Sequence, residues 1–138
     1  ALMLQVWRDR WLREGVVSAA PEIIGTVAQC PAVDFPKPCP ESINRSALMN
    51  GHPHEEVSPM HVDPELFRSV LVAHGDADEL IPLEASRDFV ERLAGAGVDA
   101  RLEVIPGAGH GYGYDTLSEH SQACLAAAIP YVKELFSR

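Results

Sequence analysis

The sequence lacks any long apolar run and is poor in basic residues. No stretch of about 18 consecutive apolar residues occurs, so a membrane-spanning helix is not expected. Eleven basic residues face 20 acidic ones, which gives a formal charge of −9. An acidic balance of this size argues against non-specific binding to nucleic acids or anionic membranes. With 46% hydrophobic and 22% charged residues, the composition instead predicts a globular domain with a sizeable core.

Cysteine is scarce, and no C-x-x-C pair occurs among Cys30, Cys39 and Cys124. Zinc and redox motifs are therefore unsupported. A bridge between Cys30 and Cys39 would need an oxidising compartment, whereas free thiols need none, so the compartment stays open with the cytoplasm slightly favoured. The segment HPHE at 52–55 is rich in metal-ligating side chains, but its proline prevents a helical ligand pair and no matching cluster follows. We therefore expect no metal.

The first residues do not have the features of a secretory signal. The apolar run from Ala1 to Val6 is short, and the charged residues follow it instead of preceding it. There is also no initiator methionine. We therefore expect the sequence to be the interior of a longer chain.

Apolar periodicity and turn residues predict helices that alternate with strands. The predicted elements are a helix over 1–14, a strand over 23–28, a short helix near 41–49, a strand over 70–73, a helix from Pro82 to about Gly95, a strand over 101–105 and a helix from about Leu117. Strands separated by helices favour parallel pairing in a three-layer α/β/α fold. Three strands would leave an apolar edge open, so we expect a missing N-terminal half or a partner chain to complete the sheet.

Three of these segments carry more specific expectations. The strand over 23–28 shows no alternation, which is typical of a strand covered on both faces. The proline-rich segment 31–60 predicts an irregular insert near the pocket. In the last helix, Pro130 should bend the helix or mark a restart. One apolar stripe of that helix is predicted to consist of Leu125, Ala128, Ile129, Val132, Leu135 and Phe136.

Two loops carry the side chains that are best suited to catalysis. The segments HGDADELIP at 74–82 and PGAGHGY at 106–112 each follow a short apolar strand. In a parallel sheet, sites form beyond the carboxyl ends of the strands, so both loops belong at that edge. The first loop offers Asp76, Asp78 and Glu79 as candidate acids, although each is also an ordinary turn or capping residue.

His110 is the candidate base in the second loop. The glycines on either side let the backbone curl and leave the ring exposed, and an imidazole that titrates near neutrality can take and return a proton. Taken alone, His110 is equally an ordinary surface histidine, but an acid followed by a base in this order is what a Ser-His-Asp hydrolase needs. Tyr112 and Tyr114, which follow, are candidates for the pocket wall or half-buried loop aromatics, and Tyr112 is the candidate substrate contact.

Together the two loops resemble the C-terminal half of the α/β-hydrolase fold, in its esterase and dienelactone-hydrolase-like branch. They are also similar to the prolyl oligopeptidase catalytic domain. The matching motifs are His-Gly followed by an acid and a proline at 74–82, and the glycine-rich turn at 107–112. The resemblance implies that Asp78, and not Asp76, is the catalytic acid and that His110 is the base. It covers almost the whole chain, most loosely over 36–57, and implies that residues 1–138 are the C-terminal half of one such domain.

The sequence departs from this family in one respect, because no nucleophile elbow, G-x-S-x-G, is present. Neither Ser18 nor Ser46 has flanking glycines. The resemblance therefore implies that the serine and the oxyanion hole lie upstream of Ala1.

The expected function is that of a serine hydrolase fragment that acts, in a complete enzyme, on a carboxylic ester of modest size without a cofactor. This chain alone should be inactive. Two alternatives stay open, a prolyl-oligopeptidase-like serine peptidase and a non-catalytic module that completes its sheet with a partner chain.

Overall fold

The computed structural model describes residues 2–34 and 57–138. Helix α1 spans Leu2–Arg13, and the strands are β1 (Gly25–Gln29), β2 (Ser69–Gly75) and β3 (Ala100–Ile105). Helix α2 (Leu83–Gly95) joins β2 to β3, and helix α3 (Glu119–Leu135) ends the chain. The expected helix near 41–49, Cys39, the HPHE segment and most of the insert over 31–60 lie outside the described residues.

The described strands form one parallel sheet in the order β1-β2-β3. Gly25 pairs with Ser69 at one end of the register, and Gly75 pairs with Ile105 at the other. The central strand is nearly all buried, because six of its seven residues are inaccessible. The predicted parallel α/β architecture is confirmed, and the carboxyl ends of β2 and β3 meet at the same edge.

Helices cover both faces of the sheet because side chains alternate along each strand. On one face, Val70 and Val72 of β2 pack in a core cluster with Phe89 and Leu93 of α2 and Leu2 of α1. Helix α3 contacts the opposite face, where Leu135 lies against the position of Gly25. No helix among the described residues is long and apolar enough to span a membrane.

The strand predicted to be covered on both faces is buried on one face and only partly covered on the other. In β1, Thr26 and Ala28 are buried, whereas Val27 is partly accessible and Gln29 is exposed. Ile23 and Ile24, which made the predicted strand look uniformly apolar, precede β1. The described residues therefore bury the face of β1 toward α1 and cover the opposite face only in part, where Leu135 lies against Gly25.

Helix α3 packs on a different stripe from the predicted one. The residues turned to the sheet are Ser121, Cys124, Ala128, Tyr131 and Leu135, at helical spacing. Four members of the predicted stripe are exposed, namely Leu125, Ile129, Val132 and Phe136. The helix also continues through Pro130 without a restart. Helix α3 therefore has a second apolar face, which the described residues do not cover.

An ionic cluster fixes the end of α3 to the amino end of the sheet. Glu134 accepts hydrogen bonds from Arg101 and Arg138, with Nη–Oε distances of 2.6–2.9 Å. The bonds from Arg101 and then Arg138 lower the pKa of Glu134 to about 2. The guanidinium of Arg101 also lies over the Tyr131 ring, 5.3 Å from its centroid.

We expect Glu134→Gln to destabilise the protein near neutral pH and to have no effect in strong acid. Because the folded pKa of about 2 lies below the ordinary 4.5, this stabilisation is present above pH 4.5 and is lost as the pH falls toward 2. Thermal unfolding of parent and variant across this range measures the difference in Tm. Glu91→Gln is the matched control, since Glu91 is an exposed helical residue without an ion pair among the described residues. A Tm difference that stays constant down to pH 2 would contradict the expectation.

Candidate active site

The loops after β2 and β3 touch through their backbones. Asp76 N–H donates to the Ile105 carbonyl at 3.3 Å, and Ala77 N–H donates to the Ala108 carbonyl at 3.1 Å. Gly75 is needed for this approach, because a Cβ at that position would overlap the carbonyl of Ala108. The two segments singled out in the sequence are thereby held side by side.

The Asp78 carboxylate meets the His110 ring within this contact. Oδ2 of Asp78 lies 2.9 Å from Nδ1 of His110, while Oδ1 accepts the N–H groups of Leu80 and Ile81, each at 2.9 Å. The carboxylate is fully buried. Burial raises its pKa, but the bonds from Ile81, His110 and Leu80 outweigh burial and hold the pKa below the ordinary 3.8. Asp78 is therefore an ionised, oriented acceptor near neutral pH.

The His110 ring is oriented with one nitrogen inward and one available. Gly111, which follows it, has φ +76°, in the left-handed region that favours glycine. The side chain is 39% exposed. Because the Asp78 carboxylate can only accept, Nδ1 carries the proton of the neutral ring and Nε2 keeps its lone pair. Among the described residues, nothing hydrogen-bonds to Nε2, so that nitrogen can act as a base toward a reacting group.

The structure separates the three candidate acids. Asp76 accepts the N–H of Gly107 at 2.6 Å and so ties the two loops together. Glu79 is exposed. Of the three, Asp78 is the acid that contacts the imidazole. The choice of Asp78 as the catalytic acid followed the family pattern and stays a prediction.

A cavity of about 240 Å³ opens beside the imidazole, lined by Gln29, Cys30, His110, Gly111, Gly113 and Tyr114. Tyr112, the expected substrate contact, does not line it. Its ring is buried in a cluster with Ile105 and Ala108, and burial, followed by contact with Cys124, raises the pKa of its hydroxyl. Tyr114, which is 95% exposed, is the aromatic residue on the cavity wall.

Sequence reasoning missed Cys30 as a neighbour of the acid. It follows β1 and is buried with φ +41°, a left-handed conformation that is unusual for a residue with a Cβ. Burial raises the pKa of its thiol, and the bond to Asp78 adds to this, while Gly75 and Gly111 oppose it. Only the pairing of β1 with β2 brings Cys30 to Asp78, so no local signal could have found it.

Cys30, His74 and Asp78 are the described side chains that cluster like metal ligands, with their ligand atoms within 4.8 Å of one another. Both nitrogens of His74 already have protein partners, Ser86 and Ile81. Asp78 is likewise bonded at both oxygens. The arrangement is a closed hydrogen-bonded cluster, unlike the open ligand set of a metal site.

The parallel sheet with helices on both faces has the α/β-hydrolase fold. Solved enzymes of that fold superpose on the chain. An esterase from Thermogutta terrifontis aligns with TM-score 0.62 and 23% identity, over 85% of this chain and 47% of its own. An acetyl ester-xyloside bifunctional hydrolase from Caldicellulosiruptor lactoaceticus aligns with TM-score 0.69 and 17% identity, over 81% and 42%. Carboxyl esterase 2 from Tuber melanosporum aligns with TM-score 0.60 and 19% identity, over 91% and 47%.

The chain belongs to the prolyl oligopeptidase family, whose model matches residues 40–130. This match includes both loops of the candidate site. The chain spans about half the length of the solved structures it resembles.

We expect Gly75→Ala to disrupt the contact between the loops. The added methyl group would overlap the Ala108 carbonyl, and overpacking of this kind costs roughly 1–3 kcal/mol or more. Gly95→Ala is the control, because nothing lies within 4 Å of its Cβ position and alanine favours the helix that it ends. Denaturant unfolding should show a lower free energy of unfolding for Gly75→Ala and no loss for Gly95→Ala. Equal stabilities for the two variants would contradict the requirement for glycine at 75.

Proposed function

We propose that Asp78 and His110 are the acid and base of a serine hydrolase. The observation that carries the proposal is the 2.9 Å bond from His110 Nδ1 to a buried carboxylate, with Nε2 left available. An imidazole held in this tautomer can accept a proton at Nε2. Asp78 would remain ionised and stabilise the charged ring, since its pKa lies below the ordinary value.

The reaction is acyl transfer in two steps. A serine hydroxyl attacks the carbonyl carbon of the substrate while His110 takes its proton, and the imidazolium then protonates the leaving group. Water attacks the resulting acyl-enzyme, again losing a proton to His110. The bond from the acyl carbon to the serine oxygen then breaks, the imidazolium returns its proton to that oxygen, and the acid product leaves. These steps need no metal or organic cofactor.

The serine and the oxyanion hole come from a segment that these 138 residues do not contain. Two observations support this part of the proposal. The sequence has no G-x-S-x-G motif, and the similar solved enzymes are about twice as long as the matched region. The same segment would cover the second apolar face of α3, where Ile129 and Phe136 are 50% and 79% exposed.

The substrate is a carboxylic ester of modest size. The names of the similar solved structures favour this class, since they include a carboxyl esterase and an acetyl ester hydrolase. Family membership favours a second candidate, a serine peptidase of the prolyl oligopeptidase kind. Comparing turnover of a p-nitrophenyl acyl ester with turnover of a prolyl peptide amide by the complete enzyme distinguishes the two.

We expect the 138-residue chain alone to have negligible esterase activity, because it offers a base without an elbow serine. A p-nitrophenyl acyl ester assay measures this directly, with buffer and His110→Ala as references. Robust turnover that His110→Ala abolishes would mean that the chain carries its own nucleophile, against the proposal.

In the complete enzyme, we expect Asp78→Asn to lower kcat by on the order of 10³–10⁴, because an amide no longer favours the productive tautomer. Asp76→Asn is the matched control, since an asparagine oxygen can still accept the Gly107 N–H. The control should lose little activity. A larger loss in Asp76→Asn than in Asp78→Asn would reassign the acid.

A non-catalytic module that completes its sheet with a partner chain is the remaining candidate, and the exposed stripe of α3 favours it. Light scattering separates the ideas. A monodisperse monomer that binds no other chain argues against obligate pairing. A stable assembly in which Nε2 of His110 is covered would argue against the hydrolase proposal.

A further inference from the structure

A second histidine lies directly behind the acid. His74 is on β2, where alternation turns it to the same face as Val70 and Val72, toward α2. Its ring is completely buried, and so is Ser86, which α2 presents to it. A polar pair with no access to solvent must be satisfied internally.

The bonds of His74 fix its tautomer. Nε2 lies 3.0 Å from the carbonyl oxygen of Ile81, which can only accept, so Nε2 carries the proton. Nδ1 lies 2.7 Å from Oγ of Ser86 and, in the neutral ring, accepts the hydroxyl proton. In its neutral form, His74 therefore has one directed N–H, on Nε2.

That N–H points toward the segment of Leu80 and Ile81, whose backbone N–H groups orient the Asp78 carboxylate. Nε2 of His74 also lies 3.3 Å from Oδ2 of Asp78, the oxygen that accepts from His110. Ile81, whose carbonyl His74 holds, donates its own N–H to Oδ1. Both oxygens of the carboxylate are thus linked, directly or through Ile81, to His74.

We propose that His74, supported by Ser86, is a positioning residue that holds the Asp78 carboxylate in the orientation that His110 needs. The inference rests on the proposed function of the pair. A neutral imidazole suits the task because it supplies a dipole without a second positive charge. A charged ring beside Oδ2 would compete with His110 for the stabilisation that Asp78 provides.

The test is the tautomer of His110, read from the NMR shifts of its two ring nitrogens in the 138-residue chain. In the parent we expect the proton to be on Nδ1. His74→Phe keeps an aromatic ring but removes the N–H, and we expect the two tautomers of His110 to approach equal populations. His74→Gln retains an N–H donor and should restore part of the preference. A role limited to filling the core would not produce this difference between the two variants.

Ser86→Ala is the milder variant, and it decides the question if His74→Phe does not fold. We expect it to shift the tautomer ratio in the same direction by a smaller factor. Ser58→Ala is its matched control, because Ser58 is equally buried but bonds to the Val33 carbonyl. Folded His74 or Ser86 variants that keep the parental tautomer would overturn the inference and leave the proposed function standing. A parent in which His110 shows no preference for Nδ1 would overturn the proposed function itself.

Discussion

The backbone contact between the loops after β2 and β3 is the constraint on which the site depends. Parallel pairing brings the two strand ends together, and Gly75 lets the chain after β2 pass against Ala108. Without that approach, Asp78 and His110 would be two loop residues with no reason to meet. The N–H of Gly107 donates to the Asp76 carboxylate and strengthens the same contact.

The chemistry of the site follows from unequal exposure within one hydrogen bond. The carboxylate is buried and fully bonded, whereas the imidazole is 39% exposed. Burial strengthens each hydrogen bond that Asp78 accepts, because water does not compete for its oxygens. Exposure leaves the second nitrogen of His110 free to exchange protons with a reacting group. The pair thus joins a carboxylate in a fixed orientation to an accessible imidazole nitrogen. His74 lies behind the carboxylate and bonds to the carbonyl of Ile81.

Strong local patterns predicted most of the fold. The bounds of α1, α2 and the central strand β2 lie within a few residues of their predicted positions, since their periodicity and terminating residues are clear. The prediction of which face of α3 packs on the sheet was wrong, because apolar residues occur around much of the helix. Ser121 and Tyr131, which do pack inward, are polar or amphipathic residues that an apolar count undervalues.

The sequence by itself determined the two loops, their order and the residue types they carry, because glycine, proline and acidic residues act over a few positions of chain. Only the tertiary structure decided which acid meets the imidazole, that Tyr114 instead of Tyr112 lines the cavity, and that Cys30 and His74 surround the carboxylate. The contacts of Asp78 with His110 and with Cys30 depend on strand pairing, between residues 30 apart in β2 and β3 and 44 apart in β1 and β2. Periodicity within a segment does not show which distant residues come into contact. The register of the sheet decides that.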